Sequence, residues 1–202
     1  SLFLLSFVAS FFALLTLIFF VKEKRTDEPH EKIFKGLSLK KLPTQHKIFL
    51  FAIAVFAIGS SSDAFLFLRA QDVGIAAVLI PLLYALSNLV FAATATQFGR
   101  LSDKIGPEKI IIGGYCVFAL THFGFAAFAS PYTVWILFPL YGIFSAMTES
   151  LQKTITVKIS DPELRGTMLG LTHTTVGICQ LPASLIAGLL WERFNPSMPF
   201  YF

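Results

Sequence analysis

Long apolar runs alternate with short polar ones along the chain. Six runs stand near residues 2–21, 48–69, 76–98, 110–129, 133–152 and 166–190. Each is about 20 residues, the length a helix needs to cross roughly 30 Å of hydrocarbon. The pattern predicts an all-α integral membrane protein, a polytopic helical bundle with six transmembrane helices. The polar stretches are brief except for residues 22–47, which are hydrophilic and mixed in charge. The first run carries Lys22-Glu23-Lys24-Arg25 after its apolar core. A signal peptide has the opposite polarity, so this run reads as a span. The chain opens on Ser1 and closes on Pro199-Phe200-Tyr201-Phe202 without a polar tail, which reads as a fragment.

Charge adds an orientation. Fourteen of the sixteen Lys and Arg fall in stretches 22–47, 100–109 and 153–165, while the alternate connections hold only Arg69 and Arg193. The positive-inside rule makes those three stretches cytoplasmic. At 55% hydrophobic and 14% charged, the chain lies well below the charged content of about 25% typical of soluble domains. Lipid is the expected solvent and partner. The net charge of +4 does not point to nucleic acid, because the basic residues sit between apolar runs and no basic-aromatic patch tracks a phosphate backbone. Cys116 and Cys179 fall inside apolar runs as small hydrophobes. No metal spacing, phosphate loop or nucleophile-base set stands out, so no cofactor and no enzymatic activity are expected. Ile33, Phe34 and Leu37 recur at helical spacing beside Lys32, Lys35 and Lys40. They suit either a short amphipathic helix on the inner leaflet or a flexible tether.

After the third run comes Gly99-Arg100-Leu101-Ser102-Asp103-Lys104-Ile105-Gly106-Pro107-Glu108-Lys109. Turning two helices around within so few residues suits the glycines. Asp103 can accept hydrogen bonds from a neighbouring helix N-terminus, making a gating latch, with Arg100 and Lys104 beside the headgroups. A solvated turn is the plainer alternative. Gly99, Leu101, Asp103, Lys104 and Gly106 match G-x-L-x-D-(R/K)-x-G-(R/K)-(R/K). That pattern marks the cytoplasmic loop between the second and third helices of each half in the major facilitator superfamily, which the chain therefore resembles. Pro107 and Glu108 depart from the usual basic pair. Residues 61–71 resemble the seventh helix of a group of bacterial permeases in that family. Asp161-Pro162-Glu163-Leu164-Arg165-Gly166-Thr167 resembles the loop before the eleventh helix, and residues 181–191 the eleventh helix itself. The resemblance implies part of the family's transporter fold, helices six to eleven of twelve. Residues 1–21 would end the N-terminal half, 22–47 would join the halves, and 48–202 would give five helices of the C-terminal bundle, its last one missing. It also implies a multi-pass protein of a bacterial inner membrane whose missing N-terminal half is its partner.

Polar residues inside spans are candidates by default, since Asp at a helix centre costs about 2.5–3.5 kcal/mol. In the second run Ser60, Ser61, Ser62 and Asp63 form a polar patch, with Asp63 needing a partner from another helix or water. Arg69 is expected to reach the outer interface. Tyr84 and Asn88 share a face of the third run. Glu149 and Lys153 have the spacing of a helical ion pair. In the last run Gly166, Gly170, His173, Gly177, Gln180, Ser184 and Gly188 form one stripe, read either as a cavity wall or as close packing. His122 reads as a packing histidine. The expected function is transport of a small solute by alternating access. Protons are the favoured coupling ion because Asp63, Glu149 and His173 can titrate. An intramembrane lipid-acting enzyme or a non-transporting scaffold of the same fold are the alternatives.

The charge bias makes a direct prediction. With Cys116 and Cys179 replaced by serine, an impermeant thiol reagent added to intact cells labels a cysteine at Tyr132 and leaves one at Lys40 untouched. The reverse pattern would invert the topology.

Overall fold

The structure is a computed structural model that describes residues 42–202 together with Phe11, Phe12, Leu14, Leu15, Thr16 and Phe19, which are helical. The rest of the first predicted span and the connection as far as Lys41, including Ile33, Phe34 and Leu37, lie outside the described residues. Over residues 42–202 there are six α-helices: α1 (Thr44–Gly59), α2 (Ala64–Asp72), α3 (Ile80–Ile105), α4 (Pro107–Ala127), α5 (Val134–Ile159) and α6 (Arg165–Arg193). Five stretches are long and apolar enough to cross a membrane, α1 and α2 counting together as one. They correspond to the second to sixth runs of the sequence. Successive spans run antiparallel, so the start of α1, the α3–α4 turn and the α5–α6 connection share one end. That end, the basic end, carries Lys47, Arg100, Lys104, Lys109, Lys158 and Arg165 among the described residues.

The second span departs from the single helix expected over 48–69. It breaks at Ser60–Asp63, where Ser60 turns extended (φ −103°, ψ 92°). Three serines and an aspartate in a row explain the break, because their side chains offer the backbone rival hydrogen bonds. Ser62 Oγ accepts from the Ala64 amide at 3.3 Å, and the Ser62 and Asp63 carbonyls accept from Phe65 and Leu66.

The third and fourth spans also differ from their predicted bounds. The motif residues expected in a loop are helical through Ile105, and the whole reversal is made at Gly106 (φ +95°, ψ 140°). This is a conformation that glycine adopts without strain. Pro107 then opens α4 at a position where its missing N–H costs nothing.

Helix α5 is the centre of the bundle, packed against both α3 and α4, while α1 rests chiefly on α6. Toward the far end Leu66, Ala70, Leu83, Phe125, Val134, Phe138 and Phe200 form the core. Toward the basic end Ile110, Ile111, Leu151 and Ile155 do so. The α3–α5 crossing is so close that a Cβ on Gly142 would lie 2.3 Å from the Ser87 carbonyl oxygen. Phe51, Ile112, Leu120 and Ile136 point outward from α1, α4 and α5, as residues facing hydrocarbon do.

Arg69 does not reach out to an interface. Its side chain is only 12% exposed. It donates to the Phe125 carbonyl at 3.2 Å, to Ser197 Oγ at 2.7 Å and to Asp72. The C-terminal carbonyls of α4 attract a cation, and the ends of three elements converge on the one guanidinium.

The α3–α5 crossing predicts a contrast between two glycines. Replacing Gly142 by alanine forces backbone apart and lowers the stability of the purified full-length protein by about 1–3 kcal/mol. Gly177→Ala meets open space and leaves the thermal melting temperature unchanged or slightly raised. Equal effects at both sites would contradict the packing described.

Candidate functional site

Residues four apart on a helix share a face, and on α5 that rule aligns Tyr141, Ser145, Glu149, Lys153 and Val157, with Gln152 and Thr156 beside them. The outer part of this face looks onto α3 and the break in the second span. Asp63, Tyr84, Ser87, Asn88, Phe91, Tyr141, Ser145 and Glu149 line a polar cavity of about 100 Å³. The Tyr141 hydroxyl donates to Asp63 Oδ1 at 2.5 Å, so Asp63 takes its partner from another helix. Asn88 donates back to the Tyr84 carbonyl at 2.8 Å, which fixes its amide on the same wall. Pro139, one turn before the cavity, lies inside α5. It removes a backbone donor and frees a carbonyl of the preceding turn.

The part of the face nearer the basic end looks onto α6. Glu149, Gln152, Lys153, Thr156, Leu169, Thr172, His173 and Val176 line a second cavity, of about 230 Å³. Glu149 belongs to both walls. The ion pair expected between Glu149 and Lys153 is not formed among the described residues, and both side chains are exposed along the cavity. A helical spacing permits such a pair without requiring it, because holding two long side chains together costs entropy. Glu108, the acidic departure from the motif, instead lies 3.9 Å from Lys158 across the α4 and α5 ends. Both are well exposed, so this pair contributes little.

The remaining candidates stand apart. Ser60 lines a narrow crevice with Ser61, Ser62, Phe118, His122 and Phe200, which borders the polar cavity through the shared Asp63 and Tyr141. His122 is buried, with Nδ1 3.2 Å from the Phe118 carbonyl and its ring against Phe118, as a packing histidine would be. Gln180 is exposed two turns beyond His173 and lines neither cavity. Within this bundle the first glycines of the stripe on α6 do not pack: a methyl group added at Gly166, Gly170 or Gly177 would meet nothing within 4 Å, whereas one at Gly188 would touch Phe65 at 4.0 Å. The helix is held instead through buried Met168, Thr172, Ala183 and Ala187. In the motif Asp103 is exposed and takes no hydrogen bond or ion pair among the described residues. Gly99 is open to space. Arg100, Lys104 and Arg165 are exposed at the basic end, beside Gly106 and Gly166.

The structure thus brings Asp63, Asn88 and Glu149 together and joins His173 to them through Glu149. Tyr141, Ser145, Ser87, Gln152, Thr156 and Thr172 complete the walls and are not among the residues expected from the sequence. The α5 residues carry a signal, since Tyr141, Ser145, Glu149 and Gln152 recur at helical steps through an otherwise apolar span.

The chain matches the model of the Major Facilitator Superfamily over residues 1–184. An uncharacterised MFS-type transporter of Methanocaldococcus jannaschii is 39% identical over 203 residues, covering 96% of this chain and 50% of the relative. The chain spans about half the length of that curated relative.

Proposed function

The chain belongs to the Major Facilitator Superfamily, and on that premise we propose that its two joined cavities form one wall of a solute path worked by alternating access. The observation that carries the reading is the position of Glu149 in both walls. One carboxylate links the Asp63 side of the path to the His173 side. A small solute or a proton passing between them meets Glu149 on the way.

The cost of charge in lipid supports the same reading. Asp63, Asn88, Glu149, His173 and Gln180 are all exposed on this bundle. A carboxylate facing hydrocarbon costs about 2.5–3.5 kcal/mol at a span centre, which two such residues could not recover from their neighbours. A water-filled path faced by a second bundle removes that cost. Protons are the coupling ion this site favours, because Asp63, Glu149 and His173 can each change charge. Asp103 completes the proposal at the basic end. It takes no hydrogen bond or ion pair among the described residues and is placed to cap a helix N-terminus in another conformation, as a gate that engages in only one state requires.

Uptake by the full-length protein in proteoliposomes tests the site. Asp63→Asn and Glu149→Gln each keep size and polarity but remove a charge. Each is expected to reduce transport at least about tenfold, the consequence of losing a hydrogen bond to a charged group, at unchanged membrane abundance. Full transport by both variants would overturn the assignment.

A further inference from the structure

His46 lies in the first turn of α1, only 6% exposed, and its ring nitrogen Nδ1 has no hydrogen-bond partner among the described residues. Its other ring nitrogen, Nε2, stands 3.3 Å from Ser160 Oγ, just beyond the end of α5. The Ser160 hydroxyl donates to the Thr156 carbonyl, which uses its one hydrogen. Nε2 must therefore carry a proton and donate to the serine oxygen. Nδ1, on the other side of the ring, is left buried and unpaired among the described residues.

The bond sits directly beneath the larger cavity. Thr156 and Thr172 line that cavity, and their hydroxyl oxygens face each other at 3.5 Å across α5 and α6. Ser160 is one turn further toward the basic end, and His46 meets it from α1. His46, Thr156, Ser160 and Thr172 are all buried, none above 6% exposed. Between cavity and basic end the chain thus places two polar layers, a threonine pair and then a histidine–serine bond. At that end the bond adds a polar link between α1 and α5 to the apolar packing of Phe49 against the Leu151 and Ile155 cluster.

We propose that the His46–Ser160 bond closes the larger cavity at the basic end, and that His46 is a positioning residue for transport, acting through Ser160 on α5. The proposal rests on the translocation reading above. A leucine in the place of His46 would fill the space without leaving a buried acceptor unpaired. A bare Nδ1 raises the energy of the closed arrangement, and water entering on opening satisfies it. The polar part of the closure is this one histidine–serine bond, which is released at low cost.

The test uses the full-length protein in inside-out vesicles, with Cys116 and Cys179 replaced by serine and a reporter cysteine at Thr172. A charged, membrane-impermeant methanethiosulfonate is added at the basic face. His46→Leu and Ser160→Ala are each expected to raise the labelling rate about fivefold, the population shift from losing one net hydrogen bond. The double variant goes no higher than either single one. His46→Gln, which offers an N–H near the place of Nε2, stays close to the starting rate. Unchanged labelling in Ser160→Ala overturns the proposal, as does His46→Gln labelling as fast as His46→Leu. Should His46→Leu fail to accumulate, Ser160→Ala alone decides. Solute uptake by the unaltered protein separates the two readings. Uptake with unresponsive labelling removes the closure alone, whereas no uptake with responsive labelling removes the transport assignment.

Discussion

In hydrocarbon no water is at hand to pair with a stray N–H or C=O, and each one left unpaired costs several kcal/mol. The break at Ser60–Asp63 violates helical pairing in the middle of a span, and much of the surrounding structure answers to it. The last carbonyls of α1 have no partner one turn on, and the first amides of α2 have none one turn back. Ser62 and Asp63 supply part of the deficit from their own side chain and carbonyls. Phe118, His122 and Phe200 cover the break from one side, and Tyr141 reaches it from another. Irregular backbone at membrane depth survives where it is covered by protein or lines a cavity, and this segment does both.

The same scarcity of partners governs the hydroxyls. Thr94, Thr121, Thr148, Thr154, Thr156, Ser160, Thr172 and Thr175 all donate to the carbonyl four residues back. Each such side chain spends its hydrogen inside its own helix and turns only an acceptor outward. The wall at Thr156 and Thr172 is consequently an accepting surface, like the carboxylate of Glu149 above it, and Lys153 is the cation beside it, while the Gln152 amide donates to the Tyr115 hydroxyl. Position on the helix decides the face, and local back-bonding decides which chemistry that face displays.

The spans are legible in the sequence because their signal is length and hydropathy, which a bilayer imposes without regard to tertiary detail. Their ends are less so. Residues 99–105 look like a loop because they are polar, yet a polar helix end protruding from the bilayer has the same composition, and only the φ of Gly106 separates the two. Ser60–Asp63 reads as a patch on a helix when it is the place where the helix stops. In the site, Asp63, Asn88, Glu149 and His173 stand out through the cost of burying charge and amide. Tyr141, Thr156 and Thr172 do not, since tyrosine and threonine are tolerated in spans for packing. The glycines that matter for close approach, Gly142 above all, carry no periodic signature. The conspicuous glycine stripe on α6 does not make such contacts within this bundle.

Three of the polar ties along the bundle differ in kind. At the far end Arg69 is charged and holds three partners on α2, α4 and the segment after α6. Charge-assisted bonds of this sort are about twice as strong as neutral ones. In the middle Asp63 holds one hydroxyl from α5. At the basic end His46 holds one neutral serine oxygen and leaves a nitrogen bare. The non-helical segment 60–63 lies between the charged Arg69 tie and the His46–Ser160 bond. A broken helix transmits bending poorly, so under the translocation proposal α2 is the part fastened to α4 and α1 the part that moves, with Asp63 and its cavity at the joint between them.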